Sequence, residues 1–321
     1  MLKNITQSIK SQVGDYVFNQ DVITELALAS FFAGGHILLA SPTGLGKSSW
    51  AQAFAKALGL SYDCVRFSET NTPGRAFINY ASDSEGNLLA PQPGALFSPV
   101  FHAEFYEDDT DSRHTQLHMF KNTHSWVHMH MIDAIDRNNK NLTDDNALPF
   151  LLPDPHFIIA SCNDTRILPA ALTDRFMMKL YVNYPGVAAE KQMLQMHHVN
   201  TAHEPQPQPV PVCTPETISQ AKQEVQAVAV DDVIFNYIIG ITETTRRANA
   251  VQIGASPRAS ISLLMAAKAY AAIAGRDYVT IGDVQGLAIP VLRHRIILRP
   301  DAIKEGINAD RIIESIIVSK G

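Results

Sequence analysis

The chain has 321 residues, 46% of them hydrophobic and 18% charged, with 17 Gly and 18 Pro. That composition is globular with room for about two domains, and it excludes a disordered, collagenous or disulfide-scaffold chain. The net charge of −6 has the wrong sign for an extended nucleic-acid surface, and since residues 201–321 hold 12 basic and 12 acidic residues, the acidic excess lies in residues 1–200.

In chain order, Met1-Leu2-Lys3-Asn4 leads into no signal-peptide core. The apolar stretch Leu26–Ala40 is 15 residues long and interrupted by Gly34-Gly35-His36, short of the roughly 18 to 20 that a membrane span needs. Its end, His36–Ala40, reads as a buried strand. The segment after it places Trp50, Phe54 and Leu58 on one helical face and stops at Gly59. Phe157–Cys162 and Lys179–Val182 read as two further strands. Strand and helix in alternation predict a three-layer α/β domain around a parallel sheet over residues 1–200.

Glu204-Pro205-Gln206-Pro207-Gln208-Pro209-Val210-Pro211 follows, with proline at every second position. It predicts an extended, semi-rigid linker over 201–214. Beyond it, residues 215–321 read as helix alone. A helix from Arg258 to Ala274 stops at Gly275, and Thr280 with Asp283 forms a capping box for the next one. Cys64, Cys162 and Cys213 are scattered, with no CxxC pair, so the sequence suggests neither a disulfide framework nor a thiolate zinc site. A soluble, cytoplasmic protein is expected.

The sharpest motif is Ser41-Pro42-Thr43-Gly44-Leu45-Gly46-Lys47-Ser48, between the first strand and an amphipathic helix. Glycines let backbone N–H groups curl around a β-phosphate at the positive end of the helix. Lys47 is expected at the β- and γ-phosphates of ATP, and Ser48 on Mg²⁺. Pro42, Thr43, Gly44, Leu45 and Gly46 form the cradle, with Ser41 where the pattern usually has its first Gly. The competing reading is a Gly-rich turn carrying a solvated lysine.

Three more residues bear on the kind of P-loop protein. Asn163 emerges at the C-terminal edge of a strand, where its amide can reach phosphate and water; the alternative is a turn-forming Asn163-Asp164 pair. Arg175, in Leu172-Thr173-Asp174-Arg175-Phe176, lies at the domain's rim and can reach a neighbour's γ-phosphate, against the alternative of a surface ion pair at Asp174. Arg258 stands in the first turn of a helix, where the dipole disfavours a cation. Either a phosphate answers it or it is simply solvated.

These motifs, with Gln20–Ile23, Ala33–Leu39, Pro93–Phe97, Pro153–Asn163, Gly254–Ser260, Gly275–Thr280 and Val291–Ile296, resemble the MoxR group of AAA+ ATPases along nearly the whole chain. The resemblance implies a P-loop AAA+ α/β/α domain with a C-terminal helical lid. It makes Asn163 similar to the sensor-1 residue, Arg175 to an arginine finger and Arg258 to the sensor-2 arginine. Met131–Ile135 looks like the family's helix-2 segment, followed by a hairpin insert around Asn138–Leu148. A ring, usually hexameric, is implied, acting as a chaperone on client complexes, commonly with a von Willebrand factor A domain partner.

The match breaks where the family has a strand ending in Asp-Glu, the Walker B pair. Counting forward from Phe97 reaches Glu104-Phe105, and counting back from Met131 reaches His118-Met119. Chemistry favours the acids after the apolar run Val100–Tyr106, so Asp108 is expected nearer Mg²⁺ and Asp109 nearer the attacking water, with Glu104 and Glu107 next. The same window holds His114, His118, His124, His128 and His130. His124 and His128 share a spacing compatible with a metal pair or with an ordinary surface helix. The expected activity is ATP hydrolysis coupled to remodelling. An ATP-binding assembly protein with little turnover and a small-molecule kinase are the alternatives.

Overall fold

The computed structural model describes residues 1–67, 78–79, 92–105, 125–136, 141–143, 149–163, 168–199 and 208–320. Helices α1 (Leu2–Gly14) and α2 (Asp21–Phe32) lead into strand β1 (Ile37–Ala40) and helix α3 (Lys47–Ala57). Strand β2 (Tyr62–Phe67) follows, then the short pair β3 (Ile78–Asn79) and β4 (Gln92–Pro93), and β5 (Val100–Phe105). Helix α4 (Ser125–Asp136) precedes β6 (Asn141–Thr143) and β7 (Pro149–Leu151), which pair antiparallel where the hairpin insert is expected. Strand β8 (Phe157–Cys162), helix α5 (Ala170–Thr173), strand β9 (Met178–Tyr181) and helix α6 (Val187–Val199) complete this half.

The main sheet is parallel throughout, in the order β2-β5-β8-β1-β9. Its central strands are buried on both faces, which is why they read as continuous apolar runs. Period two sorts their side chains. Ile37, Leu39, Val100, Phe157 and Ile159 join the core shared with α1, α2 and α3, while Leu38, Phe101, Ala103, Phe105, Ile158 and Ala160 join a second core with Met131 and Phe176. On that alternation His102, Glu104 and Ser161 fall on the α3 side, and all three are buried.

The second half begins with α7 (Pro215–Ala227), capped by Thr214 in a reciprocal capping box with Thr217, and α8 (Asp232–Arg247), capped by Asp231. Strand β10 (Val251–Ile253) precedes α9 (Pro257–Ile273), whose end is tied by Arg276 N–H to Ala271 O and Gly275 N–H to Ala272 O. Helix α10 (Ile281–Leu292) opens with the expected Thr280–Asp283 capping box. Strand β11 (Ile297–Leu298), α11 (Pro300–Lys304) and α12 (Ala309–Lys320) end the chain.

Two expectations are corrected. The second half is not helix alone, because β10 and β11 pair antiparallel and Arg299 N–H extends the contact to Ala250 O. Nor does the described part of the proline-rich segment stand off as a spacer. Val210 N–H donates to Gln12 Oε1 at 2.9 Å and Val212 N–H to Ala57 O at 2.8 Å. Gly59, at φ 72°, leaves no room for a Cβ, which would come within 2.5 Å of Cys213 O. A single apolar cluster therefore runs from Leu2, Phe31 and Trp50 through Ile218 and Leu263 to Ile313. No helix among the described residues is long and apolar enough to cross a membrane.

Candidate nucleotide site

The turn from β1 into α3 takes Gly44 at φ 84° and Gly46 at φ 76°, a region costly for any residue with a Cβ. Gly46 is the N-cap of α3 and offers no side chain, so the first-turn N–H groups face outward without a cap. The sequence thus makes an anion cradle by removing side chains where a ligand's oxygens would stand. Beside it lies a cavity of about 570 Å³, lined among others by Tyr16, Val17, Thr43, Gly44, Tyr184 and Met193. Its size and mixed apolar and polar walls suit a nucleoside.

Lys47 is buried and curls back over its own loop. Its Nζ donates to Ser41 O at 3.0 Å, Ser41 Oγ at 3.1 Å, Pro42 O at 3.0 Å and Asn163 Oδ1 at 3.4 Å. Burial holds its pKa below the ordinary lysine value, opposed by Cys162 and Glu104. These are neutral oxygens around a cation, an arrangement in which an anion would strengthen the charge. Asn163, just past the end of β8, is thus brought to the lysine.

Among the described residues, the carboxylate that reaches this site is Glu104. Its Oε1 accepts a hydrogen bond from Ser48 Oγ, and its Oε2 accepts from Arg66 Nε at 2.9 Å. Parallel pairing sets Glu104 opposite Ser161 on β8 and Arg66 on β2, one strand removed from the P-loop strand. Asp108 and Asp109 lie outside the described residues, as do His114, His118 and His124. The forward count from Phe97 points to Glu104, whereas a search for two adjacent acids passes over it because Phe105 follows. Ser48 hydroxyl and Glu104 carboxylate are hard oxygen donors that suit Mg²⁺.

His102, two residues before, sits behind the carboxylate. Its Nδ1 is 2.9 Å from Tyr62 OH and its Nε2 is 2.8 Å from Ser161 Oγ. Burial brings its pKa down to about 4, against the pull of Glu104, so the ring is neutral at pH 7.

Arg175 and Arg258 are not at Lys47 but together elsewhere, on Asp136 at the end of α4. Arg175 Nε donates to Asp136 Oδ2 at 2.6 Å, and an Arg258 terminal nitrogen lies 3.3 Å from Asp136 Oδ1. Arg258 also pairs with Asp174 at 3.3 Å. The anions answering the Arg258 cation in this chain are therefore carboxylates. Asp174, in turn, is held from behind by Arg295, which sequence reasoning gave no role. Its buried guanidinium donates to Asp174 O, Phe176 O and Ser262 Oγ at 2.8–3.1 Å. Burial lowers its pKa to about 10, which leaves it charged.

The AAA lid domain family matches residues 243–316. The uncharacterized protein YeaC of Bacillus subtilis is 32% identical over 92% of this chain and 88% of its own length. The chaperone MoxR1 of Mycobacterium tuberculosis is 24% identical over 95% of this chain and 79% of its own. The crystal structure of a candidate ATPase from Cytophaga hutchinsonii superimposes with a TM-score of 0.83 at 25% identity, covering 99% of this chain and 94% of that one. The chain belongs to the MoxR-like AAA+ ATPases. Its parallel sheet and C-terminal helical lid are those of that fold, and membership implies nucleotide binding.

Proposed function

We propose that the chain binds ATP with Mg²⁺ at the P-loop and hydrolyses it at the boundary between ring subunits, using the cycle to remodel or mature client protein complexes. The observation that carries the reading is the convergence of Lys47, Ser48, Asn163 and Glu104 beside an open glycine cradle. Lys47 would leave its loop carbonyls for the β- and γ-phosphates, while Ser48 and Glu104 would hold Mg²⁺, directly or through water. A bound Mg²⁺ would neutralise phosphate charge as it develops. Asn163 would orient water for in-line attack on the γ-phosphorus as the bond to the bridging oxygen breaks. Asp109 remains the proposed water-polarising acid and Asp108 the second metal acid.

Arg175 and Arg258 are proposed to act together on a neighbour's phosphate, with Asp136 holding both guanidiniums until the phosphate replaces it. A hexameric ring and a partner bearing a von Willebrand factor A domain follow the family likeness, and MoxR1's description as a chaperone supports remodelling. The test is ATP-dependent assembly together with steady-state phosphate release from the purified protein; assembly and turnover that are both absent would overturn the reading. A binding protein with slow turnover is the second reading. It is favoured by the single carboxylate on β5, followed by the apolar Phe105.

A further inference from the structure

Beside Glu104, the parallel sheet brings up two further donors that the nucleotide reading does not use, Cys64 and His102. Cys64 on β2, His102 and Glu104 on β5 are the His, Cys and carboxylate groups among the described residues whose ligand atoms all lie within 4.8 Å of one another. Cys64 Sγ is 3.6 Å from His102 Nδ1, and His102 Nδ1 is 3.7 Å from Glu104 Oε1. Tetrahedral zinc, with bonds of about 2.3 Å to sulfur and about 2.0–2.1 Å to nitrogen, requires ligand atoms about 3.5 Å apart. Two edges of the triangle are already close to that spacing, and the third is no longer than 4.8 Å. Register explains how residues so far apart in sequence reach it, since β2 and β5 pair with Cys64 opposite His102.

We infer that Cys64, His102 and Glu104 form a binding site for a zinc-like thiophilic divalent ion. The ring is set for it. With Nε2–H donating to Ser161 Oγ at 2.8 Å, the lone pair lies on Nδ1, where it accepts from Tyr62 OH at 2.9 Å; an ion displaces that proton, and the Tyr62 O–H turns away as Nδ1 takes the metal. On binding, the thiol proton passes to solvent, the thiolate, Nδ1 and one Glu104 oxygen bond the ion, and the Tyr62 hydroxyl or a water takes the fourth position. Cys64 is exposed while His102 and Glu104 are buried, which gives the ion an entrance from the β2 edge.

Because Glu104 Oε1 also receives Ser48, the same carboxylate cannot serve this ion and the P-loop metal fully at once. Zinc therefore inhibits nucleotide turnover. That consequence, unlike the site itself, rests on Glu104 being a Mg²⁺ ligand.

The test is a Co²⁺ titration of the full chain in excess Mg²⁺ without nucleotide. The expected result is a near-ultraviolet thiolate-to-cobalt band saturating at one ion per chain and displaced by Zn²⁺. Histidines elsewhere in the sequence can take up cobalt but give no such band. Cys64→Ser should abolish it, Cys213→Ser should keep it, and Ser161→Ala should weaken the affinity about 10- to 100-fold. No band in the parent protein, or an undiminished band in Cys64→Ser, overturns the site. Zn²⁺ should also raise the ATP concentration needed for half-saturation in the parent but not in Cys64→Ser. A Cys64-dependent band with no such effect upholds the site and removes Glu104 from the Mg²⁺ reading.

Discussion

Arg175 and Arg258 are held by one carboxylate, with Asp136 accepting from the first through Oδ2 at 2.6 Å and from the second through Oδ1 at 3.3 Å. Arg258 is therefore grouped with the rim arginine and not with Lys47. If both serve a neighbouring subunit, Arg258→Ala mixed with Lys47→Ala should recover turnover. Each ring then contains sites where an intact Lys47 meets a neighbour's intact Arg258. Action on its own subunit's nucleotide predicts no recovery, because neither variant then has a complete site. Phosphate release from demonstrably mixed rings decides it. Arg175→Ala alone should keep ATP affinity and lower hydrolysis on the order of 10³-fold.

Lys47→Ala should weaken ATP binding sharply, since it removes the cation that the loop carbonyls, Asn163 and Glu104 position. Calorimetry should show this as loss of affinity, with a thermal-stability loss on the order of 1 kcal/mol from the buried Ser41 oxygens that lose their donor. Unchanged affinity would refute the P-loop role.

Glu104→Gln preserves shape and removes charge. It should reduce Mg²⁺-dependent ATP affinity and turnover by at least tenfold, while Asp108→Asn and Asp109→Asn test the acids expected after the strand. Asp109→Asn should trap ATP with near-parental affinity if it polarises the water. Parental turnover in Glu104→Gln would show that the carboxylate against Ser48 is structural.

Arg295→Ala should destabilise the fold by about 3 kcal/mol, since it takes the guanidinium donors from Asp174 O and Ser262 Oγ and leaves Phe176 O with His294 alone. Urea denaturation measures the loss. Removing it should also lower turnover, because the Asp174-Arg175 segment is no longer clamped.

Acid should unfold the protein through its buried histidines. Burial lowers the pKa of His36 to about 3 and those of His102 and His156 to about 4. The unfolded chain, titrating near 6.5, binds protons that the folded chain refuses. Stability is complete above pH 6.5 and falls as pH drops from there towards about 4. Denaturation midpoints measured across that window should fall, and His36→Asn should flatten the slope; a pH-independent midpoint would contradict buried neutral rings.

The P-loop, Asn163, the central strands and the Thr280 cap were legible because each is local, a matter of glycine spacing, apolar runs or a hydroxyl three residues from an acid. Glu104 was obscured because it is a single charge in a buried strand, and only the packing of α3 against β5 shows that it meets Ser48. Arg295 and the Cys64–His102 contact were invisible for the same reason: nothing in sequence spacing announces a partner 121 residues away or a neighbouring strand's register. The strands of the second half were missed because three residues and two are too short to carry a period.

The apolar cluster that crosses from α1, α2 and α3 into α7 and α9 removes the pivot that a proline-rich joint would have supplied. A nucleotide-driven displacement within one subunit would have to tear that seam open at each turnover. In the ring proposed above, the stroke would then belong to the joints between subunits. Cross-linking α3 to the 208–213 segment should then leave the cycle running, whereas a staple between adjacent protomers should stall it.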